Sequence, residues 1–146
     1  MISNEVQYRA TLDHLRRFEQ ARSNLEARAP AGKQTKLQQL EIDAVTAQAG
    51  DLRAEIAEYE QLRSGQVSTL GAPTLADLAS VLIKARIARG MTQRQLANAL
   101  GVAEQQIQRY EASAYRSASL ARIIDVAEAL HIDIAHVARL RDAGAA

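Results

Sequence analysis

Apolar positions along this chain recur in steps of three and four, and runs of strict alternation are absent. That period is the helical one, so the pattern predicts an all-α protein. Asn4 is placed to cap a first helix, with Gln7 at the reach-back position, and Tyr8, Leu12, Leu15, Phe18 and Leu25 then follow at helical spacing, interrupted by Arg22. The run Ala-Pro-Ala-Gly (Ala29 to Gly32) predicts a turn. A second long helix is expected from about Lys33 or Thr35 to Arg63. Its residues Ile42, Val45, Ala49, Leu52, Ile56 and Tyr59 form a coiled-coil seam, and Leu37, Leu40, Ala44 and Ala47 form a second, shorter strip around the side. Gly50 lies inside that helix at a cost of about 1 kcal/mol relative to alanine.

Two helices cannot bury two strips by themselves. The seam residues Ile42, Val45, Leu52, Ile56 and Tyr59 are therefore expected to meet a partner: a second copy, the domain that follows the hairpin, or another protein. A second copy, giving a four-helix bundle, is the favoured arrangement. The uncharged, Gly- and Ser-containing stretch Ser64 to Pro73 reads as a flexible linker. Domain boundaries follow as a helical hairpin over 1–63, a linker over 64–73 and a second domain over 74–146.

The second domain begins with a Thr74-capped helix whose inner stripe is Leu75, Leu78, Leu82 and Ala85. Two short helices follow. Gly90 stops the first helix, Thr92 caps the next with Gln95 completing a capping box, and Gly101 ends that helix near Leu100. The following helix runs from about Ala103 to Ala112. On it Gln106, Ile107 and Tyr110 share one side, while Glu104, Gln105, Gln108, Arg109 and Ala112 share the other. Glutamine pairs bidentately with adenine, and arginine with guanine N7 and O6, so this outward row suits the reading of base edges. Ser119 then caps a helix carrying Leu120, Ile123, Ile124, Ala127 and Leu130, and Asp133 caps a last short one carrying Ile134, Val137, Ala138 and Leu140. The domain is thus expected to have five helices.

The segment Thr92 to Glu111 resembles the helix-turn-helix of the Cro/C1-type (Xre) family. The shared pattern is T-Q-x-x-L-A-x-x-x-G-V followed by I-x-x-Y-E, carried here by Thr92, Gln93, Leu96, Ala97, Gly101, Val102, Ile107, Tyr110 and Glu111. The resemblance extends over about Thr74 to His136 and implies a lambda-repressor-like domain. By position it assigns base contacts to Glu104, Gln105 and Arg109, with Gln108 on the same outward row. It assigns phosphate contacts to Gln93, which also braces the cap, and to Tyr115, Arg116 and Ser117 in the loop after the second helix; Arg94 joins them as an expected phosphate contact. Tyr115 is equally readable as a plug under that loop. The resemblance also implies a structural salt bridge between Arg86 and Glu111. Ala103 departs from the pattern, standing where the family often has a capping Ser or Thr, at a cost of about 1 kcal/mol.

Charge narrows the picture further. The whole chain carries only +1, but Leu78 to Ile124 holds seven cations and two anions, whereas the first 73 residues hold nine cations and ten anions. Positive charge therefore accompanies the motif, as phosphate binding requires. With no cysteine, disulfides and thiolate metal sites are excluded. His131 and His136 stand five apart, off the spacing of a helical metal pair, and no Gly-rich phosphate loop or nucleophile elbow occurs. Neither catalysis nor a metal or other cofactor is expected. No apolar run approaches the about 20 residues of a membrane span, and no signal-peptide core opens the chain. The expectation is a cytoplasmic bacterial or phage protein, nucleoid-associated when bound, that regulates transcription by binding double-stranded DNA as a homodimer, acting as a repressor on a palindromic operator. The alternative is an antitoxin of the HigA type, whose hairpin captures a protein toxin while the second domain represses its own promoter.

Overall fold

The computed structural model describes residues 1–29, 32–135 and 137; among them stand six α-helices and one 3₁₀ turn, with no strand. Helix α1 spans Glu5–Arg28, with the Asn4 side chain accepting from the Gln7 amide at 2.9 Å. Helix α2 spans Lys36–Arg63 and opens on a reciprocal capping box between Thr35 and Gln38. The two pack along their length as an antiparallel hairpin. Pro30 and Ala31, part of the expected turn, lie outside the described residues.

The seam expected to face a partner is filled from within the chain. Ile42, Ile56 and Tyr59 are buried, and Val45 and Leu52 are half-buried, because α1 returns along them. A short connection holds α1 at a high effective concentration beside α2, so it takes the seam before any second molecule does. Tyr8 and Tyr59 stack across the hairpin with ring centroids 5.1 Å apart, and the Tyr8 hydroxyl donates to Glu60 Oε1 at 2.6 Å. The second strip stays uncovered: Leu37 and Leu40 are each 65% exposed.

Helix α3, Leu78–Ala88, is buried nearly all round. It packs against α2, and its buried side chains share one core with the three shorter helices α4 (Gln93–Leu100), α5 (Glu104–Ala112) and α6 (Leu120–Ala129). One apolar cluster joins Ile2, Ile56, Tyr59 and Leu62 of the hairpin base to Leu82, Ile87, Leu96, Ile107, Val126 and Leu130. The stretch expected as a flexible linker is also tied in, since Val67 and Leu70 pack against that cluster. Leu75 differs from expectation. It is 69% exposed because Leu75–Asp77 forms a 3₁₀ turn, whose tighter winding turns it off the inner stripe of α3. Thr74 donates from its amide and its hydroxyl to Asp77 Oδ2, at 2.9 and 2.6 Å, and these bonds hold the Asp77 carboxyl below the usual carboxylate range. At the other end of the chain no helix starts at Asp133, since Ile132–Ala135 are non-helical; Ala138, Leu140 and His136 lie outside the described residues.

Candidate nucleic-acid interface

Helices α4 and α5 form the two arms of the site, and their junction is decided by Gly101. Its φ of +65° suits glycine, and the turn closes with the Val102 amide donating to Ala97 O at 3.0 Å. At the other end of α4, Thr92 and Gln95 exchange cap bonds of 3.1 and 2.8 Å. Leu96 and Ala97 are buried beneath. Helix α5 starts without a side-chain cap, because Ala103 has no oxygen to offer. Replacing Ala103 with serine is expected to raise the unfolding free energy by about 1 kcal/mol, measured by denaturant titration. An unchanged midpoint would show that the helix start is already satisfied.

Ile107 is wholly buried and holds α5 from behind. Gln105 and Arg109, one turn apart on the opposite side, are exposed. Gln108 is exposed and Glu104 half-buried, and the Gln108 amide approaches Glu104 Oε1 at 3.4 Å. This second pair borders a cleft of about 360 Å³ whose other walls include Thr92, Gln93, Tyr59, Arg63 and Glu5. The hairpin base therefore lies beside the first turn of α5. Nothing in the period of the sequence signalled that neighbour.

Behind the exposed row sits a buried charge cluster. Arg86 donates bidentately to Glu111, Nε to Oε1 at 2.6 Å and Nη2 to Oε2 at 2.8 Å, with both side chains 3% exposed. The same guanidinium donates to Met91 O at 2.8 Å and to Ser3 O at 2.7 Å. Thus the first residues of the chain, which carry no motif, are latched to the helix-turn-helix through one side chain.

Gln93 and Tyr115, expected to touch phosphate, are turned elsewhere. Gln93 is buried and its amide donates to Glu111 Oε2 at 2.7 Å, so the cluster claims it. Tyr115 is 3% exposed and stacks on Tyr110 at 5.9 Å, inside the loop that follows α5. Ala114 and Tyr115 both take left-handed backbone conformations there, and that turn swings the ring inward. Its hydroxyl is buried with no hydrogen-bond partner, and burial, reinforced by the Glu111 carboxylate, pushes its ionisation well above the ordinary tyrosine range. Tyr115→Phe should therefore stabilise the protein by about 1 kcal/mol, since an unsatisfied buried hydroxyl costs more than its absence. Thermal unfolding would read the gain; a lower midpoint would mean the hydroxyl has a partner. Ser117 remains exposed, with its hydroxyl 3.0 Å from that of Ser113.

The structure also sorts the cations that gave this region its positive balance. Arg86 is spent in the buried pair, and Arg89 donates to Leu130 O and His131 O, closing the end of α6. Lys84 pairs with Glu58, and Arg122 with Asp125. Three arginines are left: Arg94 in the first turn of α4, Arg109 on α5 and Arg116 just beyond it are exposed, and among the described residues no ion pair engages them.

A small helical domain with a buried brace, a glycine turn and an outward polar helix is the architecture of a DNA-binding module. Residues 82–137 match the Helix-turn-helix family, so this part of the chain is a helix-turn-helix domain of the Xre/Cro type, the DNA-binding domain of transcriptional regulators. That family is not normally enzymatic. The match spans well under half of the chain and leaves the hairpin outside it. No curated protein and no solved structure matches the chain. Among the described residues no helix is long and apolar enough to cross a membrane.

Proposed function

We propose that the chain is a sequence-specific repressor that reads a palindromic operator in double-stranded DNA as a homodimer. The observation that carries this reading is the exposed row Gln105–Arg109, backed by the fully buried Ile107 and flanked by Arg94 and Arg116, which enter no ion pair among the described residues. In this reading Gln105 and Arg109 meet base edges, with Gln108 and Glu104 on the adjoining stripe. Arg94, Arg116 and Ser117 grip phosphate from either side and set the register. One such domain covers only a few base pairs, and two of them about 34 Å apart on one face of the duplex multiply the selectivity.

The test is a footprint on DNA upstream of the chain's own gene, followed by binding titrations at several salt concentrations. Binding should weaken steeply with salt as counterions are released. Arg109→Ala should cost about 1–3 kcal/mol on the operator and relax one base preference, while Arg94→Ala and Arg116→Ala weaken operator and random DNA alike. Equal loss on both DNAs for Arg109→Ala would remove its reading role.

A further inference from the structure

Among the described residues the fold leaves the apolar strip on α2 uncovered. Leu37, Leu40, Ala44 and Ala47 recur in steps of three and four, the a and d positions of two heptads, and both leucines are 65% exposed. At about 100° per residue the strip lies about 150° around the helix from the seam that α1 fills, so α1 cannot reach it. Single exposed leucines mean little, whereas a repeated a/d row does. The row ends where the next two such positions bring Asp51 and Ala54, so it is confined to the half of α2 far from the DNA-binding domain.

We propose that this strip is where two copies of the chain pair, in parallel and in register. The flanking charges select that occupant and that direction. In a parallel pair, position g of one helix faces position e of the next heptad on the other. Here those positions set Lys36 against Glu41 of the partner subunit and Asp43 against Gln48 of the partner subunit, one attraction and one hydrogen-bonding pair. An antiparallel pair would instead bring Glu41 towards its own copy and Asp43 towards its own copy, two repulsions in the middle of the contact. Lys36 and Glu41 are exposed and enter no ion pair among the described residues. The parallel arrangement places both helix-turn-helix domains at the same end of the pair, as a two-fold operator requires. It takes its use from the repressor reading above, but pairing itself is measured without DNA.

Sedimentation equilibrium of the full chain over a dilution series is the direct test. The mass should rise from one chain towards two. Leu37→Glu combined with Leu40→Glu should raise the dissociation constant at least about thirtyfold. Helicity, and the thermal midpoint at dilutions where the wild type is a single chain, should hold, because in one chain both side chains face solvent. Lys36→Glu and Glu41→Lys should each weaken pairing about two- to fivefold, and the two together should restore it. The chain has no cysteine, so Ala44→Cys alone should give a disulfide-linked dimer under mild oxidation. A monomer at every concentration, as when the strip serves a different protein, overturns the proposal. So does pairing indifferent to the double glutamate change, or pairing tightened by Glu41→Gln, which would relieve the antiparallel self-repulsion. A dimer that binds the operator yet ignores the double glutamate change would sink the pairing surface alone; a dimer that pairs through the strip but ignores DNA would sink the repressor reading alone.

Discussion

Replacing Arg86 with alanine should cost about 3–5 kcal/mol, the usual penalty for leaving a buried charge unpaired. Glu111 would keep only the Gln93 amide at 2.7 Å, inside a site where its side chain is 3% exposed. The loss is a large share of the about 5–15 kcal/mol that holds a typical domain folded. Arg86 also satisfies two backbone carbonyls, Met91 O and Ser3 O. The double change Arg86→Met with Glu111→Leu should therefore recover the unpaired-charge penalty but not full stability, since unsatisfied buried groups cost about 1–3 kcal/mol. Urea titrations of the two single variants and the double close the cycle. A single-variant loss below about 1 kcal/mol would mean that water reaches Glu111 and the cluster is not sealed.

The second large effect falls in the hairpin. Leu62→Ala removes a side chain that is 4% exposed and should cost about 2–5 kcal/mol. Its consequence reaches beyond α2, because Leu62 shares one apolar cluster with Leu82, Leu96 and Ile107. The helix-turn-helix should lose stability by the same amount, and unfolding should remain a single transition by both circular dichroism and tyrosine fluorescence. Two separated transitions, with only the first moved by Leu62→Ala, would show that hairpin and DNA-binding domain fold independently. Leu40→Ala on the same helix is the control. At 65% exposure it should change the stability of the single chain by no more than about 0.5 kcal/mol.

Much of the fold was legible because helix ends are written locally. Thr92 with Gln95, Ser119 ahead of Leu120, and Gly101 each satisfy or terminate a helix within a few residues, so reading them needs no knowledge of what lies across the core. The outward stance of Gln105 and Arg109 follows from the same local period once Ile107 is taken as the inner face. Tyr115 was open to two readings for the opposite reason. A hydroxyl at the end of a ring suits phosphate and core equally well, and only the left-handed turn at Ala114 and Tyr115 decides between them.

Helical period, caps and the turn glycine determined by themselves that this is an all-α chain with a helix-turn-helix near its C-terminal half, since those signals act over one or two helical turns. Only the tertiary structure decided which apolar strip α1 covers, and which arginines are taken up in ion pairs and carbonyl contacts. It likewise decided that Ile2 and Ser3 dock on the DNA-binding domain. These are outcomes of competition between groups far apart in the chain. A period can say that a face must be buried, but burial against one neighbour rather than another depends on which element arrives there first and fits.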